Sequence, residues 1–428
     1  MGPGLIRLRP RPTDRASARR DSSAAGAAAS AGGGLRLPGP PPAQVGYAAP
    51  VAQRPHPRRR TVVGAVALVA ALGAGAWLLG QPTPDPRSAG SGAAPPTAAA
   101  PAVTEVYPGA KLSAGLPGAL PDGTVFVPEL YLSTEVAAGI AMTADGAHTR
   151  MLLRGPDGAT TELRRLSTAA DGRFEGFAAH GDVLVWAEVT ATGGDVPHTE
   201  IWRANWRTGG QARRLTADTG RAIFRKTQFD LVVADSAVHW IAAESSKAAR
   251  AQVRSVPLAG GRVTRRAVPG GLGLSTWPWL SSALSGVSLP AELYDLRTGR
   301  RVKAVTSPSE EARCTPAWCR VAVSGAQGVV RVDIMRPDGR DRARVAGPGA
   351  VAVLNDVALL DRFEPFGAAV NPEDGSSLLQ LYDIRSGRTV VVAEGVAAVD
   401  AAGGMLWWSR GAVGSPYTWY ALDLRSLA

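Results

Sequence analysis

The chain has 428 residues, 45% of them hydrophobic and 19% charged, with Gly 50 and Pro 33. This is enough for one large turn-rich domain with extensions, or for two or three ordinary domains. The net charge of +11 is concentrated at one end: residues 1–60 hold eleven Arg against Asp14 and Asp21, or +9, which leaves +2 for residues 61–428. A chain-wide cationic footprint is therefore excluded, and no nucleic-acid partner is expected.

In chain order, residues 1–60 combine Ala/Gly/Ser/Pro runs such as SSAAGAAASAGGG with scattered Arg and no apolar periodicity. Such a stretch cannot bury enough apolar surface to offset its chain entropy, so it is predicted to be a disordered basic tail. Thr61–Gly80, TVVGAVALVAALGAGAWLLG, follows without a charge. Twenty residues at 1.5 Å each cover roughly 30 Å of hydrocarbon, which predicts a transmembrane helix over residues 61–80. Arg58, Arg59 and Arg60 abut its start and only Arg87 lies close beyond it. The positive-inside rule then puts the N-terminus in the cytoplasm and the rest outside, in the plasma membrane's extracytoplasmic space. A sixty-residue leader and QPTPDP after the apolar run argue against a cleaved signal peptide. Residues 81–120 read as a Pro/Ala-rich stalk and 121–428 as the folded domain.

Within that domain a hairpin signature recurs, best seen in IWRANWRTGGQARRLT (Ile201–Thr216): strand, Gly-containing turn, second strand often rich in Arg and Val. Its turn glycines are Gly158, Gly209, Gly260, Gly299, Gly339 and Gly387, and Ser426 stands at the equivalent place of a seventh, truncated copy. A spacing of 39 to 51 residues with strand-like content is what four-stranded blades require, so an all-β propeller is predicted. Seven blades fit best, six or eight remain open, and a pair of β-sandwiches is the rival fold. The last copy ends without its outermost strand, so an N-terminal strand must close the ring. Thr124–Leu132 and the segment Val103–Tyr107 are the two candidates.

The DLRTG, DIRSG and RPDG turns, each followed by a short Arg/Val strand, resemble blades of the TolB-like and WD40-like propellers. The anchor, stalk and propeller together, with CTPAWC, are similar to membrane-anchored proteins of actinobacterial type. The resemblance covers residues 120–428 and rests on turn chemistry. It implies a propeller that docks partners in TolB-like proteins and carries enzyme sites in some relatives of the fold, and it does not choose between them.

Cys314 and Cys319 in CTPAWC lie in the part predicted to be outside the membrane, where pairing is favoured. An extended chain would hold them roughly 16 Å apart, so a disulfide requires a turn near Thr315–Pro316. Free thiols are the alternative. His148, His180, His198 and His239 sit in separate repeats at no ligand spacing, and neither a metal nor a cofactor is expected. Asp361 with Glu364, and Glu310 with Glu311, are the densest carboxylate pairs for acid/base work, against a default of solvated loop acids. Trp186, Trp240, Trp407 and Trp408 stand in strand context and are expected between blades. Trp277 and Trp279 flank Pro278, which demotes that segment from a central strand and makes the two rings candidates for a binding face. Arg pairs such as Arg265/Arg266 fall on predicted outer strands, either as guards against edge pairing or as a cationic rim for an anionic polymer. These features predict a non-enzymatic binding or scaffolding module for a protein or cell-envelope component. A hydrolase or lyase with its site in the channel funnel is the alternative, and a sensor that signals through the tail is a third reading.

Overall fold

The structure, a computed structural model, describes residues 100–191, 197–244, 250–282, 291–325, 328–371, 376–411 and 416–428. The predicted tail, the segment 61–80 and the stalk as far as residue 99 lie outside the described residues. Among the described residues, no helix is long and apolar enough to cross a membrane.

Seven antiparallel sheets follow one another along the chain, and each is a blade: 126–167, 173–216, 221–269, 273–303, 310–346, 350–394 and 396–423, numbered 1 to 7. In each, the first strand lies innermost, and in blades 1 to 6 the repeated hairpin supplies strands three and four. The six turn glycines all adopt φ between 60° and 86°, a left-handed conformation that glycine reaches without a Cβ penalty. That is why the repeat is legible at these points. Strand three presents both faces to neighbours: His198–Asn205 sends Ile201 into the cluster shared with blade 3 and Ala204, on the opposite face, into the one shared with blade 1.

Apolar clusters fill every blade interface. One spans blades 7, 1 and 2 through Trp407, Phe126 and Trp186. Others join blades 2 and 3 around Trp240, 3 and 4 around Leu280, 4 and 5 around Leu293, 5 and 6 around Ile334, and 6 and 7 around Trp408. The succession returns to its starting point, so the ring is closed. The Trp residues of the second strands are wedges between neighbouring sheets, as their strand context predicted.

Ring closure uses a different segment from the two expected. Lys111–Leu112 and Leu116–Pro117 pair with Thr418–Asp423 as the outermost strand of blade 7. Thr124–Leu132 instead supplies the innermost strand of blade 1, Phe126–Tyr131. Its partner Ala137–Met142 is a few residues away, and a local hairpin closes a far shorter loop than pairing with the C-terminus would. Val103–Val106 is a single helical turn, and Val103 and Tyr107 are buried in the cluster between blades 6 and 7. The Tyr107 hydroxyl donates to Asp383 Oδ2 at 2.7 Å. Residues 100–120 therefore belong to the propeller, and its boundary lies before residue 121.

Candidate functional site

The innermost strands surround a central channel, and blade 3 departs from the pattern there. Its first strand is broken into Arg221–Ala222 and Val232–Ala234, both paired with Ala237–Ala243. Ile223 N–H still reaches Ile241 O, so residues 224–231 leave the sheet opposite Trp240 alone. The loop folds on Asp230, whose Oδ2 accepts the backbone N–H of Arg225 and of Lys226, each at 2.8 Å. Lys226 has φ 55°. Gln228 N–H donates to Asp356 Oδ2 at 3.2 Å. Asp356 belongs to blade 6, three blades from blade 3 in a ring of seven, so the contact crosses the channel. The loop is a plug.

Blade 2 makes room for it. Gly176, at φ 52°, stands where a Cβ would meet the Phe224 ring at 3.0 Å and Leu231 at 3.1 Å. On the far side, blade 6 also loops out after its short inner strand Ala350–Ala352. Arg320 of blade 5 fixes that loop, donating to Leu354 O at 2.8 Å and Asp356 O at 3.1 Å. The same guanidinium pairs with Glu364 Oε1 at 2.7 Å, and both side chains are buried.

Carboxylates from five blades converge on the plug: Glu129, Glu175, Asp230, Asp356 and Asp400. Burial raises Glu129 to about 8, the nearby Asp400 adding to the shift and Lys226 opposing it. Burial raises Asp356 to about 7 against the Gln228 hydrogen bond and the Arg320 charge. Asp230 is raised to about 6 by burial, although three backbone N–H groups oppose the shift. Asp400 reaches about 6 although its side chain is exposed to the channel, because protein walls surround it and Asp230 lies close. Lys226 is the cation that lowers both Glu129 and Asp400. Among the described residues no group of three His, Cys, Asp or Glu has the geometry to hold a metal. Asp230 and Asp356 accept the loop's N–H groups, and the charge of its Lys226 acts on Glu129 and Asp400.

Cys314 and Cys319 form a disulfide with Cα atoms 4.0 Å apart. They are cross-strand partners at the end of the inner hairpin of blade 5, closed by the turn at Thr315 and Pro316, and both are buried in the interface with blade 4. The two candidate rings part company. Trp279 opens the second strand of blade 4 and packs toward blade 5. Trp277 lies in the turn before it and faces blade 3, where its ring stacks on His239 at 3.7 Å and its Nε1–H donates to Asp235 at 2.9 Å. His239 in turn bonds Ser255 through Nδ1, and burial lowers its pKa. Trp277, Pro278 and Leu296 border a cavity of about 210 Å³ whose other wall carries Thr264, Arg265 and Arg266. This groove unites two features that were separate in the sequence, the Trp-Pro-Trp turn and an outer-strand arginine pair.

One member of each carboxylate pair has a structural partner. Glu364 is held by Arg320, and Glu310 accepts Arg342 at 2.6 Å. Several outer-strand arginines are likewise engaged. Arg164 of blade 1 makes a two-point contact with the buried Glu188 of blade 2 and lies 3.8 Å over the Trp202 ring. The plug was missed because its sequence, FRKTQFD, bears no turn glycine. The available signal was Arg225 and Lys226 interrupting an inner-strand position.

No family model matches the chain, and no curated protein matches it in sequence. Solved structures similar to it include the β-propeller domain of the Trilobed protease from Pyrococcus furiosus, at 10% identity over 73% of this chain and 93% of that one, TM-score 0.39. A puromycin-hydrolyzing peptidase of Mycobacterium tuberculosis is similar at 15% identity over 76% of this chain, TM-score 0.42, and an oligogalacturonate lyase in complex with manganese at 12% over 74%, TM-score 0.30. The chain spans 54% of that peptidase's length and 99% of the lyase's. The seven blades stand on the chain's own sheets, and no role is taken from these likenesses.

Proposed function

We propose that the chain is a non-enzymatic binding module, a propeller held outside a plasma membrane by residues 61–80, that docks a protein or a cell-envelope component. The observation that carries this reading is the plug. A reaction centre in a propeller needs side chains from several blades to meet on a substrate in the channel. Here those side chains meet on the chain's own residues 224–231, held by Asp230 and Asp356. The ring interfaces are tightly filled, which suits a rigid docking surface. The anchoring rests on the uncharged run flanked by Arg58–Arg60.

A second reading, a hydrolase or lyase, draws on Glu129 and Asp400, which stand on the neighbouring inner strands of blades 1 and 7 and are raised to about 8 and about 6. Such a pair could give and take a proton near neutral pH. Crosslinking in intact cells, followed by extraction and mass spectrometry, separates the two, with a chain truncated after residue 99 as background. The binding reading expects a reproducible envelope partner that is lost on truncation and kept by Glu129→Gln. A partner set no different from background would sink it.

A further inference from the structure

We propose that the groove between blades 3 and 4 is a binding site for an acidic saccharide, with one sugar ring over the Trp277–Pro278 floor and its oxyanion on Arg266. The inference rests on the binding-module reading and names the chemistry of the envelope component.

Three observations carry it. The first is the floor: Trp277, Pro278 and Leu296 present an apolar surface. The Trp277 ring is fixed before any ligand arrives, by His239 stacked at 3.7 Å and by Asp235 on its Nε1–H. A pre-set aromatic surface spares the ordering cost of binding, and its flat apolar face suits the C–H face of a sugar ring.

The second is charge. Three arginines border the groove, and they are not equally engaged. Arg265 pairs with Asp218 at 2.6 Å and Arg297 with Asp235 at 3.4 Å. Arg266 is exposed and makes no ion pair or hydrogen bond among the described residues. Asp218 and Asp235 do not line the cavity. An exposed guanidinium beside an apolar floor offers a planar fork to a carboxylate or a phosphate.

The third is size and chemistry of the walls. About 210 Å³ falls below the roughly 300–1,000 Å³ of sites that enclose a drug-sized molecule. An open groove of this size takes one ring of a longer chain. Thr264 adds an exposed hydroxyl to the wall, with one long contact of 3.5 Å to Ser255 O, and it can turn to a ring hydroxyl, whereas the Ser255 hydroxyl is taken up by His239 Nδ1. An acidic peptide would satisfy Arg266 but would make less use of the aromatic floor.

The test uses the full chain in mild detergent and follows tryptophan fluorescence and calorimetric titration at low salt. The probes are a glucuronate-containing disaccharide, a sugar phosphate, the matching neutral disaccharide and a poly-glutamate peptide. Saturable binding of the disaccharide acid, the sugar phosphate or both is expected, and their ratio identifies the acid. The neutral sugar should bind at least about tenfold more weakly. Arg266→Gln, on an exposed strand position, should lose about tenfold in affinity with an unchanged melting temperature, and Arg266→Lys should recover part of it. Absence of binding by both acidic sugars, an unaltered Arg266→Gln, or tighter binding of poly-glutamate would each overturn the proposal. A protein captured in cells without acidic-sugar binding would overturn this inference and leave the binding-module reading standing.

Discussion

Replacing Arg320 by Met tests how the inner loop of blade 6, which meets the plug, is held in place. Arg320 is 6% exposed and Glu364 0%. Their 2.7 Å contact is joined by donations from the same guanidinium to Leu354 O and Asp356 O. Without the cation, Glu364 retains one N–H partner, from Ala358 at 2.7 Å, and two carbonyls lose a donor. Breaking one side of a buried pair costs about 3–5 kcal/mol, because a desolvated charge is left behind. For a domain of this size, about 2 °C per kcal/mol converts that into a fall of roughly 6–10 °C in melting temperature. Scanning calorimetry of the full chain at neutral pH measures it. Arg320→Met combined with Glu364→Leu removes the stranded charge, and should melt several degrees above the single variant. A single variant within about 2 °C of the parent, or a double variant that is worse than the single, would refute the argument.

Four further outcomes follow from other parts of the ring. Burial holds the Glu129 carboxyl at about 8, above the unfolded value of about 4.3. The unfolded chain thus loses its proton first, and the group's contribution to stability declines as pH rises from about 4 to about 8. Glu129→Gln should be nearly neutral at pH 4 and stabilising at pH 8, by about 2–3 kcal/mol after allowance for channel water, and melting curves at the two pH values decide it. Gly176→Ala sets a Cβ at 3.0 Å from the Phe224 ring in a left-handed conformation. It should cost about 1–3 kcal/mol and speed hydrogen exchange in residues 224–231, whereas unchanged exchange would detach the plug from blade 2. Cys314→Ala with Cys319→Ala should lower stability by about 2 kcal/mol in urea titrations, the entropy expected for so small a closed loop. Deleting residues 100–117 removes the outer strand of blade 7, and light scattering should then report association through the bared edge of Thr418–Asp423, with retention of a well-behaved monomer as the contrary result.

Much of the architecture was readable because it is written in local chemistry. A turn that needs a left-handed residue selects glycine, so Gly158, Gly209, Gly260, Gly299, Gly339 and Gly387 mark six outer hairpins at blade spacing. The outermost strand of blade 7 is donated from the N-terminal side, as the closure of a ring requires. Which segment donates it was not readable. Lys111–Leu112 and Leu116–Pro117 make two short pairings with no apolar alternation, while Phe126–Tyr131 looks like a better strand and is drawn into its own hairpin.

The site shows the same division. The Cys314–Cys319 pair, five residues apart in a turn-forming stretch, could be weighed from geometry alone. Trp277 and Arg266 were each noticed, but only the packing of blade 4 against blade 3 puts them around one groove and sends Trp279 the other way. Glu364 looked like half of a carboxylate pair with Asp361, and its partner proved to be Arg320, 44 residues earlier. Local propensity, turn chemistry and periodicity act over a few residues, and the amino-acid sequence displays them directly. Desolvation, charge pairing and the crossing of the channel by residues 224–231 depend on which distant segments the closed ring brings together, and the tertiary structure alone decided them.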